Sequence, residues 1–308
     1  MTRTLPLATL AGGGAILLWS TSVAVARSLS ERLGPVSAAA AVTVIAGIAA
    51  LFALLCNPQK RQRISRLPAR YLIGCGGLFV GYTVFFYLAL GWVRTRQEVL
   101  EVGLLNYLWP TLTLVFSLAL LGKKASWILL PGTLLALAGI SLVVNHQEAS
   151  VAWLSPGRSF LRNPVAYSLA IAAAVSWALY SNLTRRWAGE HEEGAVALFL
   201  PATAMVLLVM CGFVHEPREW SRPVLVESLF LGVSTYIAYS LWDLAMRRGN
   251  VVVVAAGSYL TPLLSTFVTC LYLAVMPGVR LWVGCVVLVL GSFLSWRSVA
   301  NAAGEQNW

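Results

Sequence analysis

Ten long apolar runs divide this chain, and each is long enough to cross a lipid bilayer as an α-helix. Each holds about 19–25 residues, and a helix of about 20 residues spans the roughly 30 Å of hydrocarbon in a bilayer. The runs are too long and too uniformly apolar for porin strands, in which polar and apolar residues alternate. The sequence therefore predicts an all-α integral membrane protein with ten transmembrane helices, which we number spans 1 to 10: Leu5–Ala26, Pro35–Cys56, Tyr71–Trp92, Glu98–Leu121, Ser126–Val144, Pro164–Trp187, Ala195–Val214, Pro223–Met246, Val251–Val275 and Leu281–Ala300.

The small number of charged residues supports a lipid environment. Only 11% of the 308 residues are charged and 58% are hydrophobic, whereas a soluble domain carries about 25% charged residues. The net charge of +10 would suggest nucleic acid as a partner of a soluble protein. Here most Arg and Lys lie in short gaps between spans, where they orient the protein in the membrane. We therefore expect a lipid bilayer as the partner, and no nucleic acid.

The distribution of basic residues predicts the orientation. If the N-terminus is cytoplasmic, 13 basic residues fall on the cytoplasmic side and 9 on the outer side. The cytoplasmic set includes all three lysines and the five basic residues that precede span 3. Because basic residues favour the cytoplasmic side, we expect both termini to be cytoplasmic.

The two halves of the chain repeat one another. The segment Asn106-Tyr107-Leu108-Trp109-Pro110 resembles Ser258-Tyr259-Leu260-Thr261-Pro262, which lies 152 residues later, and Gly132 and Gly139 match Gly284 and Gly291 at the same offset. Each half holds five spans, an odd number, so the second half enters the membrane from the opposite face. This predicts a five-plus-five inverted-topology repeat, with a first repeat at 1–145, a connecting loop at 146–163 and a second repeat at 164–308. Such repeats place a solute site near the midplane and permit alternating access; an old duplication kept only for packing is the alternative.

Two prolines suggest hinges. Pro110 lies midway along span 4 and Pro262 midway along span 9. Because proline has no N–H, the carbonyls of Asn106 and Ser258 lose their usual helical partners, which is costly in hydrocarbon unless they face protein or a water-filled cavity. We therefore expect both spans to lie in the core, where each proline lets its helix bend and open one side. A static kink is the alternative.

Carboxylates within the membrane are candidates for function. Glu98 and Glu101 lie near the outer end of span 4, and Asp243 lies toward the inner end of span 8. The helix dipole offers an alternative reason for the two glutamates, and an ion pair with Arg247, four residues on, offers one for Asp243. A membrane carboxylate that relays protons would make the protein an antiporter, and a uniporter remains equally open.

The motifs of membrane enzymes and pumps are absent from the sequence. No histidine lies within a span, and there is no HExxH or Walker A sequence. This argues against an intramembrane metalloprotease and an ATP-driven pump, and we expect no catalytic residue, metal or cofactor. A structural membrane protein, the remaining alternative, would not need the polar faces of the kinked spans 4 and 9.

The ten spans, the repeat and the paired spans 4 and 9 resemble the drug/metabolite transporter superfamily, specifically its EamA-type exporters, over essentially the whole chain. The segment Glu101-Val102-Gly103-Leu104-Leu105-Asn106-Tyr107-Leu108-Trp109-Pro110-Thr111 is similar to the corresponding motif of the aromatic amino acid exporters among them. The resemblance implies a bacterial inner-membrane exporter of phenylalanine, tyrosine and tryptophan, built as a basket-like bundle with a central cavity. It also implies that Glu101, Asn106, Tyr107 and Trp109 lie at or beside the site.

These observations predict a midplane cavity enclosed by spans 1, 3, 4, 6, 8 and 9, in a protein that functions as a monomer. Aromatic rings would contact the apolar part of the solute, and a few polar groups would bind its polar part. Core packing is the alternative role for each ring, and export of drugs, nucleosides or other metabolites is the alternative function. Pro110 and Pro262 are the expected hinges, and the expected substrate-contacting residues are Trp19, Tyr82, Phe86, Glu101, Asn106, Tyr107, Trp109, Trp177, Tyr180, Tyr236, Tyr239, Asp243, Ser258 and Tyr259.

Overall fold

The computed structural model describes residues 4–93, 102–103, 105–144, 163–189, 191–272 and 279–304. Every regular element in these ranges is a helix, in agreement with the predicted all-α architecture. A π-helical turn, Tyr71–Cys75, leads directly into α4. The helices are α1 (Thr4–Leu33), α2 (Pro35–Leu55), α3 (Pro58–Ser65), α4 (Gly76–Trp92), α5 (Trp109–Leu121), α6 (Leu129–Val144), α7 (Pro164–Ala188), α8 (Val196–Cys211), α9 (Arg222–Arg248), α10 (Val251–Gly257), α11 (Leu260–Tyr272) and α12 (Val279–Gly304).

Several of these helices suit a membrane by length and composition. Among the described residues, five are long and apolar enough to cross a bilayer: Pro35–Leu55, Tyr71–Trp92, Pro164–Ala188, Arg222–Arg248 and Trp282–Val299. Shorter apolar helices occupy Pro6–Thr21, Trp109–Leu121, Leu129–Gly139, Val196–Cys211 and Val251–Ser265. Large apolar side chains such as Phe52, Ile73 and Met205 point outward. Because helices satisfy their own backbone hydrogen bonds, a bundle with this apolar exterior is compatible with lipid.

Contacts between loops distinguish the two ends of the bundle. At one end, which we call the α3 end, Arg63 of α3 lies 2.8 Å from Glu192 in the segment that joins α7 to α8. At the other, which we call the Gly34 end, Glu216 accepts hydrogen bonds from the backbone N–H groups of Val36 and Ser37, at 2.9 and 2.7 Å. Gly34 itself has φ of +83°, a conformation that glycine adopts without strain. The basic cluster that precedes span 3 therefore lies at the α3 end.

Helices of the first half pack against helices of the second half in related pairs. Helix α1 packs on α9, as α7 packs on α4, and α1 also packs on α11, as α7 packs on α5. Helix α2 packs on α8, and α6 packs on α12. The α6–α12 pair is close because Gly291 lies directly against the backbone of Ala136 and Gly139 against that of Leu288, so that a side chain at either glycine would overlap its neighbour.

The two proline-bearing spans are interrupted at the positions where the sequence predicts a bend. Residues 107–108 form a turn before α5, whose second residue is Pro110, and residues 258–259 form a turn before α11, whose third is Pro262. A proline in the first turn of a helix breaks no hydrogen bond, because the N–H groups there have no partner within the helix. The carbonyl of Ser258, expected to lack a partner, accepts the N–H of Thr261 at 3.0 Å.

Candidate functional site

Aromatic rings from α1, α4, α5, α7 and α9 meet at the centre of the bundle. Trp177 of α7 is the common member, and its ring is edge-on to Trp19 and Trp109, at interplanar angles of 71° and 84°. Such T-shaped pairs are favourable because the positive edge of one ring meets the negative face of the other. Ring centroids within 4.8–6.3 Å of Trp177 belong to Trp19, Phe79, Tyr82, Trp109, Tyr180, Tyr239 and Trp242.

A cavity of about 260 Å³ adjoins this aromatic cluster, and we call it the central cavity. No charged side chain is among its described lining residues, and no group of three or more His, Cys, Asp or Glu residues suited to a metal ion occurs in the described part of the chain. Its wall is mostly aromatic with a few polar groups, as in small-molecule sites. The lining residues are Trp19, Tyr82, Phe86, Gly103, Asn106, Tyr107, Trp109, Trp177, Tyr239 and Thr261, which come from spans 1, 3, 4, 6, 8 and 9.

Two polar side chains in the central cavity are incompletely satisfied. Asn106 lines the cavity together with Tyr82, and its Oδ1 has no partner among the described residues. The hydroxyl of Thr261 likewise finds none there. Both residues are buried, with 8% and 7% of their surface exposed. They are free to bind a polar group that enters the cavity.

A second cavity, of about 170 Å³, lies toward the Gly34 end. Leu29 and Ser30, near the C-terminus of α1, are among its lining residues and place it there. It shares Tyr82, Phe86 and Tyr239 with the central cavity. These three side chains therefore separate the central cavity from the Gly34 end.

Toward the α3 end the bundle is closed by a buried group of four residues, which we call the Asp243 network: Tyr71, Tyr180, Asp243 and Arg247. Oδ1 of Asp243 accepts hydrogen bonds from the hydroxyls of Tyr71 and Tyr180, at 3.0 and 3.4 Å. Oδ2 accepts one from Nε of Arg247 at 2.8 Å. The arginine and aspartate side chains are only 3% and 4% exposed. A buried ion pair tolerates this environment when further hydrogen bonds satisfy the remaining atoms.

The surrounding backbone completes the closure at the α3 end. Arg247 donates to the carbonyl of His191 at 2.8 Å, and the N–H of Ala195 donates to the hydroxyl of Tyr71 at 3.1 Å. Arg185 of α7 donates to the carbonyl of Arg247. Gly194 lies so close to Asp243 that a Cβ there would overlap the carboxylate. The network thus ties α7, α9, the π-helical turn before α4 and the loop before α8 together.

The structure brings eight of the sequence-predicted site residues to the central cavity: Trp19, Tyr82, Phe86, Asn106, Tyr107, Trp109, Trp177 and Tyr239. Tyr180 and Asp243 belong to the network on the α3 side. The ion pair between Asp243 and Arg247, which the sequence left as an alternative, is present. Glu101 and Glu98 lie outside the described residues.

Three other predicted residues have partners away from the central cavity. The hydroxyl of Tyr236 lies 3.5 Å from Nζ of Lys60 on α3. The hydroxyl of Ser258 donates to the carbonyl of Ala255 at 2.6 Å. Tyr259 is fully buried among residues of α5, α6, α10 and α12, with its hydroxyl 2.6 Å from that of Thr111. These three side chains therefore do not line the central cavity, although they lie close in sequence to residues that do.

Sequence reasoning missed several members of the site. Thr261 lines the central cavity and lies 152 residues after Trp109, so the offset between the two similar segments contained a signal for it. Phe79 and Trp242 belong to the aromatic cluster, and nothing distinguished them from other apolar residues of their spans. Tyr71 stands at the very start of span 3, where an interfacial role is the ordinary expectation. Its contact with Asp243 depends on tertiary packing.

Known proteins resemble this chain along nearly its whole length. Residues 7–145 and 164–297 match the model of the EamA-like transporter family. Three relatives are each named aromatic amino acid exporter YddG. The one from Salmonella typhimurium is 35% identical, over 94% of this chain and 96% of the relative. The Escherichia coli protein is 33% identical over the same shares, and the Ancylobacter novellus protein 33% identical over 92% and 95%. A solved crystal structure matches with a TM-score of 0.76 and 31% identity, over 94% of this chain and 97% of its own.

Proposed function

This chain belongs to the EamA-like transporter family, and on that premise we propose that it exports aromatic amino acids: phenylalanine, tyrosine and tryptophan. The observation that carries the proposal is the central cavity, whose wall is aromatic on several sides and carries unpartnered polar atoms of Asn106 and Thr261. The names of the relatives from three bacteria support the same class of substrate.

The chemistry of the central cavity fits an aromatic zwitterion. Trp19, Trp109 and Trp177 offer ring faces and edges to a flat apolar side chain, with which T-shaped and offset contacts are favourable. The described wall carries no charged side chain that would favour a substrate with net charge. A volume of about 260 Å³ suits one small solute better than an extended drug-like molecule.

We further propose that the fold is a ten-span inverted-topology repeat, with repeats at 1–145 and 164–308 joined by residues 146–163. The related helix pairs support this: α1 on α9 corresponds to α7 on α4, and α1 on α11 to α7 on α5. The turns before Pro110 and Pro262, 152 residues apart, support it as well.

The α3 end is proposed to face the cytoplasm of a bacterial inner membrane, with both termini on that side and a monomer as the functional unit. The basic residues between span 2 and span 3 support this orientation, because positively charged loops are retained inside. In this orientation the Asp243 network closes the cytoplasmic side, and the second cavity leads toward the outside.

Export then follows an alternating-access cycle. The substrate enters the central cavity when the Asp243 network separates, and it leaves past Tyr82, Phe86 and Tyr239 when the network has re-formed. Spans 4 and 9 move about the turns at 107–108 and 258–259. An interrupted helix changes direction at little cost in free energy, because its backbone hydrogen bonds are already divided between two helical segments.

The experiment that tests this function is uptake of radiolabelled phenylalanine, tryptophan and alanine into proteoliposomes that hold the purified protein. Saturable uptake of the aromatic pair, without uptake of alanine, is expected. Imposing a pH gradient separates a proton antiporter from a uniporter. If correctly folded protein takes up neither aromatic amino acid but does take up a drug or nucleoside, the substrate assignment is wrong and the transporter family stands.

A further inference from the structure

Two residues that line the central cavity each carry a buried oxygen atom without a hydrogen-bond partner in the described part of the chain: Oδ1 of Asn106 and Oγ1 of Thr261. More than nine-tenths of each residue's surface is buried. Leaving a polar atom unpaired in a buried place is unfavourable, and such groups usually find a protein or solvent partner. Two of them in one cavity indicate that the missing partner is a polar ligand.

Thr261 differs from four other buried threonines in the partner of its hydroxyl. The hydroxyls of Thr43, Thr83, Thr113 and Thr203 each donate to a carbonyl four residues earlier on their own helix, at 2.8, 3.3, 2.7 and 2.8 Å. This bond is the usual way for a threonine to satisfy its hydroxyl within a membrane helix. Thr261 follows the turn at 258–259, where the helix is interrupted, and its hydroxyl makes no such bond. The interruption therefore leaves it available to the cavity.

The two oxygen atoms suit ligand groups of opposite charge. Oδ1 of Asn106 is an acceptor only and has no partner among the described residues. An acceptor of this kind suits an ammonium group. Thr261 is the second residue of the 13-residue helix α11, whose N-terminus carries partial positive charge. A hydroxyl there can donate to a carboxylate, which the helix dipole also favours.

We propose that Asn106 and Thr261 recognise the two charged groups of a zwitterionic amino acid, Asn106 Oδ1 accepting from the ammonium group and the Thr261 hydroxyl donating to the carboxylate. This rests on the proposed function and names the polar half of the same site. The two residues come from spans 4 and 9, beside the two helix interruptions, so that a bound amino acid bridges the elements expected to move. The aromatic wall receives the side chain.

The test separates the two charges with two fragments of phenylalanine. Phenethylamine keeps the ammonium group and 3-phenylpropionate keeps the carboxylate. Binding of phenylalanine and of each fragment to the purified full-length protein is measured at neutral pH by quenching of the cavity tryptophans. Asn106→Leu is expected to weaken phenethylamine binding about tenfold and to leave 3-phenylpropionate unchanged, whereas Thr261→Val is expected to do the reverse. Both substitutions are expected to weaken the binding of phenylalanine.

Matched variants control for packing. Thr113→Val removes a buried hydroxyl that bonds only its own helix, and it is expected to leave all three affinities unchanged. Asn106→Asp keeps an oxygen acceptor and is expected to bind phenethylamine, which Asn106→Leu binds weakly. Thr261→Ser keeps the hydroxyl and is expected to bind 3-phenylpropionate, which Thr261→Val binds weakly. These two variants carry the test if Asn106→Leu or Thr261→Val does not fold.

The outcomes are distinguishable. If wild-type protein does not bind phenylalanine, the proposed function itself fails. The wild-type protein can also bind phenylalanine while each substitution weakens the binding of both fragments equally, or of neither. In that case the assignment of the two charged groups to Asn106 and Thr261 is wrong, and the proposed export of aromatic amino acids stands. Weaker binding of phenethylamine by Asn106→Leu alone, together with weaker binding of 3-phenylpropionate by Thr261→Val alone, supports the inference.

Discussion

The hydroxyl of Tyr71 lies 3.0 Å from Oδ1 of Asp243, although 172 residues separate them in the chain. This contact joins the start of span 3 to the end of span 8 and closes the α3 end beneath the aromatic cluster. Tyr71 also accepts the backbone N–H of Ala195, so a single side chain ties the loop before α8 to the carboxylate. Tyr71 is therefore a shared contact of two of the segments that meet at the α3 end.

Tyr71→Phe is expected to loosen this closure. The change removes two hydrogen bonds, each with a net contribution of about 0.5–1.5 kcal/mol, and shifts the protein toward the state open at the α3 end. Cys75, fully buried one turn away, reports the shift. Its labelling by a membrane-permeant maleimide, with the other cysteines replaced by serine, is expected to become several-fold faster. Tyr87→Phe, at the second cavity, is the control, and equal rates in all three proteins would contradict the prediction.

Asp243→Asn is expected to be strongly destabilising. It leaves the charge of Arg247 buried without its partner, and breaking a buried ion pair costs about 3–5 kcal/mol. Thermal unfolding of the purified protein, followed by tryptophan fluorescence, measures the loss. The double variant Asp243→Asn/Arg247→Met removes both charges and is expected to unfold at a higher temperature than the single variant. A double variant less stable than the single one would show that the pair is not the source of the effect.

Trp177→Ala is expected to weaken phenylalanine binding by about tenfold or more, because Trp177 is the ring common to the aromatic cluster and lines the central cavity. Trp177→Phe keeps a ring at this position and is expected to retain more of the affinity. The control is Trp127→Ala, which removes an indole that is 82% exposed. Equal affinities for the Trp177→Ala and Trp127→Ala proteins would remove Trp177 from the binding site.

Pro110→Ala and Pro262→Ala are expected to slow transport without weakening substrate binding. An alanine supplies an N–H that can bond the carbonyl of Asn106 or Ser258, and this favours a continuous helix through the turn. The rate of exchange across proteoliposomes is compared with binding affinity in the same preparation. Pro223→Ala provides the control, since Pro223 also lies in the first turn of a helix. Unchanged rates in both variants would leave the prolines without a role as hinges.

Gly291→Ala is expected to destabilise the protein by about 1–3 kcal/mol while leaving substrate preference unchanged. The added methyl group would overlap the backbone of Ala136 and force α6 and α12 apart, and neither Gly291 nor Ala136 lines the central cavity. Gly77→Ala is the control, because nothing lies within 4 Å of the position of its Cβ. It is expected to be neutral or to stabilise the helix by about 0.5–1 kcal/mol. Thermal unfolding of the two variants distinguishes these outcomes.

The site shows where prediction from sequence succeeds and where it fails. Trp19, Trp177 and Asn106 could be named because deep aromatic and polar residues are unusual within a membrane span and mark its inward face. Tyr259 has the same character, yet it packs toward α12 and bonds Thr111. Near the turn at 258–259 it is Thr261, and not Tyr259, that lines the cavity, whereas Tyr107 in the turn at 107–108 does line it. Helical periodicity alone cannot anticipate a turn of this kind.

The sequence by itself determined the class of the protein and the positions of its apolar helices. The length and hydropathy of each run are local properties, and they decide whether that segment is stable as a helix in a bilayer. It also contained two similar segments 152 residues apart and the two prolines. Tertiary structure alone decided that the helices are interrupted before those prolines, that Asp243 is held by Tyr71 and Tyr180, and which rings face a cavity. These outcomes depend on contacts between residues far apart in the chain, which no local pattern encodes.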